Sequence, residues 1–259
     1  MNAMKLRLDK IFLAAFLVLA ASCTGIDNYD APDGGIQGRI IDKVTGETVY
    51  QPVNSDAGLR VQLTQQDWIV KADPQFFYSK EDGTFINTKL FSGEYLMDFG
   101  QSNFFPEKAV PVTINPGITE VVIPVTPFCT VYLDDLVFEN RAVRATARIK
   151  RTWNWVADNR GCKISKIGLC CHISPNVDYG SDHNIGTGAI DCSGTEDQQL
   201  LTGDSTFDVN VVLDGTRMQQ YAHVIKSNGN RLYVRAFVET LYENDPCYNY
   251  SQVATVVVE

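Results

Sequence analysis

The sequence predicts an all-β protein made of two antiparallel β-sandwich domains. Apolar and polar residues alternate in short runs, whereas the spacing of apolar residues that is typical of helices is almost absent. Gly, Pro, Asn and Asp residues separate the runs, as turns do between antiparallel strands. A chain of 259 residues, 44% of them hydrophobic, is long enough to bury two cores.

The N-terminus, residues 1–22, has the pattern of a secretory signal peptide. Three basic residues, Lys5, Arg7 and Lys10, precede an apolar run at 11–21. A helix of that length is too short to cross a hydrocarbon layer of about 30 Å. We therefore expect export without a transmembrane anchor.

The end of this segment, Leu19-Ala20-Ala21-Ser22-Cys23, resembles a bacterial lipobox. The resemblance implies cleavage before Cys23, a lipid on that cysteine as the link to membrane lipid, and an outer-membrane location. An ordinary signal peptide with a chance cysteine is the alternative. Residues 23–33 are polar and acidic, which is typical of a flexible tether, and they resemble the surface-export signal of Bacteroidetes lipoproteins.

The acidic charge of the chain argues against nucleic acid as a partner. The formal net charge is −9. Residues 1–22 carry three basic residues and one acidic residue, so the remainder carries −11. Since no cluster of Lys or Arg offsets this charge, a phosphate backbone would be repelled.

The first domain is expected over residues 34–127. Its turns and strands include GGIQGRIIDKVTGETV, KEDGTFINTKLFSGEYLMDF and VPVTINPGITEVVIPV, which resemble the carboxypeptidase-regulatory-like (prealbumin-like) sandwich. That resemblance implies a scaffold without peptidase chemistry. The predicted strands are Ile36–Ile41, Leu59–Leu63, Thr84–Asn87, Gly93–Phe99, Val110–Ile114 and Glu120–Val125.

The second domain is expected over residues 128–259, because Pro127 ends the last ladder of the first. The segments KISKIGLCCHISP and NRLYVRAFVETLYENDP resemble fibronectin-III-like modules of Bacteroidetes surface proteins. The two-domain order resembles accessory lipoproteins of Sus-like glycan-uptake systems, which implies an outer-membrane transporter as a partner. The predicted strands are Thr130–Leu133, Ala142–Lys150, Lys163–Ser174, Ser205–Leu213, Arg231–Thr240 and Gln252–Val258.

Six cysteines follow Cys23: 129, 162, 170, 171, 192 and 247. An exported protein can form disulfides, and the spacing leaves their pairing open. If their strand is paired on one face only, strand alternation predicts Cys171 in the core and Cys170 facing outward. Zinc would require two paired ligand clusters, and only the adjacent Cys170-Cys171 comes near that, so we expect neither a metal nor a cofactor.

No catalytic motif is present, and we expect a protein that is not an enzyme. The sequence lacks GxSxG, HExxH and phosphate-binding glycine loops, and it has three histidines. Paired carboxylates of a glycosidase could still meet in three dimensions, so a hydrolase stays a distant alternative.

Aromatic residues are the candidate ligand contacts. If the preceding strand continues, Trp153 and Trp155 share one face, with Asn154 between them. Their rings could then stack on sugar rings. The alternative is that both tryptophans pack in the core. Tyr242, Tyr248 and Tyr250 are expected in a loop between the last two strands. Phe76–Tyr78 and Phe104–Pro106 are expected at turns of the first domain, covering a sandwich end or packing on the second domain.

The functional prediction is therefore a non-catalytic, membrane-anchored surface lipoprotein that binds glycan or peptide for a neighbouring uptake system. The alternative is an accessory subunit of an outer-membrane complex with no ligand of its own.

Overall fold

The computed structural model describes residues 30–53, 58–68, 70, 72–100, 102–154, 161–201 and 205–258. The predicted signal peptide, Cys23 and Trp155 lie outside the described residues, so export, lipidation and location stay predictions. Among the described residues no helix is long and apolar enough to cross a membrane.

Residues 34–125 form two facing sheets. One has the order β4-β1-β7 and the other β3-β2-β5-β6. The pairing of β1 with β7 is parallel and the other pairings are antiparallel. The strands are β1 (Gly34–Asp42), β2 (Arg60–Gln65), β3 (Gln75–Tyr78), β4 (Thr84–Leu90), β5 (Gly93–Phe99), β6 (Val110–Ile114) and β7 (Gly117–Val125).

Strand alternation builds the core between these sheets. Val61 and Leu63 of β2 are fully buried, as are Tyr95 and Met97 of the neighbouring strand β5, while the residues between them face outward. The six strands predicted from this part of the sequence overlap β1, β2, β4, β5, β6 and β7.

Residues 130–257 form a second pair of sheets. One has the order β11-β10-β13-β14, with β15 also pairing with β13, and the other has the order β12-β9-β8. The strands are β8 (Thr130–Glu139), β9 (Ala142–Lys150), β10 (Cys162–His172), β11 (Gly186–Asp191), β12 (Thr206–Val212), β13 (Arg231–Tyr242), β14 (Asp245–Tyr250) and β15 (Ala254–Val257). The all-β, sandwich-type fold class predicted from the sequence is confirmed.

Helices are more prominent than the sequence predicted. A 3-10 turn spans Ser181–His183, α1 spans Asp197–Leu200, and α2 spans Gly215–Ser227. Asp214 caps α2 by accepting a hydrogen bond from the Thr216 amide at 3.1 Å. Met218, Tyr221 and Ile225, spaced by three and four residues, pack on the core, so a short helical period was present in the sequence.

The predicted loop around Tyr242, Tyr248 and Tyr250 is wrong. Tyr242 ends β13, and the other two tyrosines belong to β14. The two strands join in a tight hairpin, because Glu243 and Asn244 both adopt positive φ values, 53° and 72°. Edge strand β11 was also missed; its Gly188 lies so near β12 that a Cβ there would collide with the Asn210 carbonyl oxygen.

Asp33–Glu259 forms one compact unit that contains two large apolar cores, one drawn from residues 36–125 and the other from 129–258. Polar groups join them. The fully buried Arg235 guanidinium donates to the carbonyl oxygens of Gln51 at 3.1 Å and Val177 at 3.3 Å. The side-chain amide of Asn249 donates to the backbone carbonyl oxygen of Asn103 at 2.9 Å. The domain boundary at residue 127 stays a prediction.

All six cysteines between 129 and 247 are free thiols. Cys170 is as fully buried as Cys171, so the condition under which it would face outward, a strand covered on one face only, does not hold. The reason is that a second cluster, which includes Val177, Phe237 and Tyr250, covers the other face of β10. Burial raises the pKa of Cys171 to about 12, which keeps its thiol protonated.

Candidate ligand-binding face

Phe76, Phe77 and Tyr78 form most of strand β3 and not the turn that the sequence predicted. Successive side chains on a strand point to opposite faces. Phe77 points inward and its ring lies 5.9 Å from that of Phe85. Phe76 and Tyr78 therefore share the opposite face of the sheet, away from the core.

Both outward rings are exposed to solvent. The exposed fraction is 51% for Phe76 and 44% for Tyr78. Single exposed apolar residues are common, but neighbouring aromatic rings on one sheet face are typical of a contact surface. This pair is the reason for selecting the face as a candidate site.

Polar side chains lie beside the rings in register. Phe76 pairs with Gln62 of β2, which pairs with Asp98 of β5, and Tyr78 pairs with Arg60. The guanidinium of Arg60 lies 4.9 Å from the centre of the Phe76 ring. We call the surface formed by Arg60, Gln62, Phe76, Tyr78 and Asp98 the outer face.

The outer face combines the two kinds of contact that a sugar chain requires. Its rings are flat apolar surfaces on which the C–H face of a sugar ring can stack, while Arg60, Gln62 and Asp98 can donate to or accept from hydroxyl groups. The Asp98 carboxylate already accepts a hydrogen bond from the Phe99 amide at 2.8 Å, which fixes one of its oxygens. No group of three metal-ligating side chains occurs within the described ranges.

The predicted contact Trp153 lies in a packed cluster instead. Its indole ring meets the Phe105 ring edge-on at 5.0 Å, and its Nε1–H donates to the Phe128 carbonyl oxygen at 3.2 Å. Tyr242 joins the same group, 5.6 Å from the Phe105 ring and 5.1 Å from the Phe128 ring. We call these four residues the junction cluster, because they connect residues from both halves of the chain.

The junction cluster fits the packing alternative for Trp153 better than the ligand alternative. Phe128 is fully buried, and Trp153 and Tyr242 are half-buried against it. Phe105 packs on this second part of the chain, one of the two positions expected for it. Asn154 is exposed. A ligand role for Trp153, Asn154, Trp155 and Tyr242 stays a prediction.

Tyr248 occupies a different place, in a polar network on β14. Its hydroxyl donates to the Glu239 carboxylate at 2.6 Å, and its ring stacks on Tyr179 at 5.2 Å. Glu239 also accepts from Ser165 at 2.6 Å and from the Lys166 ammonium at 2.9 Å. Burial raises the pKa of Tyr248, as does its bond to Glu239. Its ring is thereby held in place, and a ligand role for it also stays a prediction.

The sequence contained a signal for the outer face. Phe76-Phe77-Tyr78 is a run of aromatic residues with high strand propensity. Pro74 before it and Asp82-Gly83 after it are turn residues, and they favoured a turn instead. A strand of only four residues leaves little periodicity to detect.

Comparison with known proteins gives one family model that matches the first sandwich. Residues 34–126 match the family model DUF3823, the N-terminal domain of a protein of unknown function. This part of the chain is DUF3823-like. The matched range is the one in which strand motifs predicted a sandwich, and it includes every residue of the outer face. The chain matches no functionally curated protein.

Solved structures resemble the whole described fold. A DUF3823 family protein from Bacteroides uniformis is 22% identical, with a TM-score of 0.69, and one from Parabacteroides merdae is 23% identical, with a TM-score of 0.67. Another Bacteroides uniformis protein, called a "putative carbohydrate binding protein", is 19% identical, with a TM-score of 0.68. Each match covers 88% of this chain and 100% of the other. At these identities the likeness shows the fold alone.

Proposed function

We propose that this chain is a non-catalytic lipoprotein, anchored at the outer membrane through Cys23, that binds glycan on the outer face of its DUF3823-like sandwich. The observation that carries the proposal is the pair of exposed rings, Phe76 and Tyr78, side by side on one strand. Buried rings elsewhere in the molecule complete cores; these two have a free side.

The chemistry of the neighbouring residues favours a glycan over a purely apolar ligand. Arg60, Gln62 and Asp98 lie within the same cross-strand rows as the rings. An apolar ligand would leave these groups desolvated without partners, at a cost of about 1–3 kcal/mol each. Sugar hydroxyls can both donate to and accept from them.

Two further observations support the proposal. One structural relative is called a "putative carbohydrate binding protein". The lipobox-like segment and acidic tether would hold the sandwiches close to a membrane, where captured glycan could pass to an importer.

Affinity gel electrophoresis tests the binding. The full chain, kept in a polyoxyethylene detergent, is run through gels that contain starch, xylan, galactomannan, pectin or mucin. We expect at least one polysaccharide to retard the protein, and Phe76→Ala and Tyr78→Ala each to reduce that retardation. Ile86→Ala is the matched control, because Ile86 is 48% exposed but lies on the other sheet.

Two results would contradict the proposal. One is a folded protein that no polysaccharide retards. The other is retardation that both ring substitutions leave unchanged. Stable co-purification of an outer-membrane protein, lost on substitution of either ring, would instead assign the face to a protein partner. The anchor is tested separately, by labelling with radioactive fatty acid in the native host: Cys23→Ala should abolish the label.

A further inference from the structure

A cleft separate from the outer face lies where the two halves of the chain meet. Its volume is about 520 Å³. Three pieces of chain form it: the end of β1 with the turn at 42–50, the start of β8 at 130–134, and the link between β14 and β15 at 251–253. Pockets of about 300–1,000 Å³ at such junctions are the usual places for small ligands.

Tyr132 is the aromatic side chain of β8 in this cleft. Its hydroxyl donates to the Glu47 carboxylate at 2.6 Å. The Arg148 guanidinium lies 4.2 Å from its ring centre and pairs with Asp134 at 2.9 Å. Burial, followed by the bond to Glu47, raises the pKa of Tyr132 to about 12, so the phenol stays a hydrogen-bond donor at neutral pH.

Thr130 supplies a polar atom without a partner. Thr130 is one of the residues that line the cleft, and its hydroxyl is buried and has no hydrogen bond within the described structure. Buried hydroxyls are almost always bonded to protein, water or ligand. A hydroxylated molecule in the cleft would satisfy this group.

The charge of the lining narrows the class of ligand. Among the described residues, three carboxylates line the cleft, those of Asp42, Glu47 and Asp134, and no Lys or Arg lines it; Arg148, which pairs with Asp134, lies against the Tyr132 ring. Asp42 is only 1% exposed and accepts hydrogen bonds from the Thr152 hydroxyl at 2.7 Å and the Val44 amide at 2.8 Å. Carboxylates accept from hydroxyl groups and repel an anionic ligand.

We propose that this cleft is a second binding site, which takes a neutral mono- or disaccharide and rejects sugars that carry a carboxylate. It shares no residue with the outer face. The outer face would hold an extended chain, and the cleft a short sugar or a chain end.

Saturation-transfer NMR on the full chain in polyoxyethylene detergent tests the site. The probes are glucose, galactose, mannose, xylose, maltose and cellobiose, against glucuronate and galacturonate. We expect a neutral sugar to bind the wild-type chain and Ile86→Ala equally, because Ile86 belongs neither to the cleft nor to the outer face. Tyr132→Phe and Thr130→Val should each weaken it by about fivefold or more, and each uronate should bind at least about tenfold more weakly than its neutral counterpart.

Thr130→Val also controls for misfolding, because the hydroxyl that it removes makes no hydrogen bond within the described structure. The proposal is overturned if no probe binds the folded wild-type chain, if uronates bind as well as neutral sugars, or if binding survives both cleft substitutions. Binding that only Tyr78→Ala removes would assign the sugar to the outer face and overturn the cleft site alone. Failure of the polysaccharide gels would leave this result standing, so the two proposals fail separately.

Discussion

The outer face and the junction cluster are made of the same residue types and differ in what covers them. Phe76 and Tyr78 lie on a sheet face that no other part of the described chain covers. Their side chains therefore remain about half exposed. Phe105, Phe128, Trp153 and Tyr242 pack edge-on or tilted against one another. Aromatic content alone therefore does not identify a binding site; the free side of the ring does.

The largest effect on stability should come from the junction cluster. Phe128→Ala removes a fully buried ring and leaves a cavity, which typically costs about 3–5 kcal/mol in the free energy of unfolding. Urea denaturation followed by far-UV circular dichroism measures it. Phe76→Ala is the matched control and should cost less than about 1 kcal/mol. Equal losses would remove the distinction between the two regions.

A smaller and pH-dependent effect is expected at Glu239. Burial raises the pKa of this carboxyl, but the hydrogen bonds from Ser165, Tyr248 and Lys166 outweigh it and hold the pKa below the ordinary range. The carboxylate then stabilises the fold above the unfolded pKa of about 4.3, and this contribution is lost as pH falls through the lower, folded pKa. Glu239→Gln should cost about 1–3 kcal/mol at pH 7.

Urea midpoints from pH 7 down to pH 3 measure this contribution. The gap between the wild-type chain and Glu239→Gln should narrow as the pH falls below about 4.3. A gap that stays constant with pH would show that the charge of Glu239 contributes nothing to stability.

A substitution at Trp153 distinguishes a packing role of this side chain from a ligand-binding role. Trp153→Phe keeps a ring in the junction cluster but removes the Nε1–H that donates to the Phe128 carbonyl oxygen. We expect a loss of about 0.5–1.5 kcal/mol in the free energy of unfolding and unchanged retardation in polysaccharide gels. Lost retardation with full stability would restore Trp153 as a ligand contact.

The smallest stability effect belongs to the outer face. Tyr78→Ala should change the free energy of unfolding by about 0.5 kcal/mol or less, since nearly half of the ring is already in water. Differential scanning calorimetry checks this. A loss above about 2 kcal/mol would show that the ring is part of the packing.

Local pattern was enough to predict most of the fold. Val61 and Leu63, or Tyr95 and Met97, alternate with polar residues so regularly that their strands and buried faces follow from the sequence. The hairpin at Glu243-Asn244 was missed because neither residue is the glycine that such turns favour.

The candidate sites depend on contacts that a sequence does not contain. Whether Trp153 or Tyr78 has a free side is decided by chain segments far away, such as the one that brings Phe105 onto Trp153. The cleft depends on residues 42–50 meeting residues 130–134 and 251–253. The burial of Cys170 could not be predicted for the same reason, since the residues that cover its sheet face come from a distant loop and strand.

The most direct test of the central claim compares the wild-type chain with the double variant Phe76→Ala/Tyr78→Ala. Isothermal titration calorimetry measures their affinity for an oligosaccharide taken from the polysaccharide that retards the protein. The free energies of unfolding of both proteins are measured alongside. We predict that affinity falls at least about tenfold, equivalent to about 1.4 kcal/mol, while stability changes by less than about 1 kcal/mol. Unchanged affinity, or the same loss in Ile86→Ala, would contradict the assignment of glycan binding to the outer face.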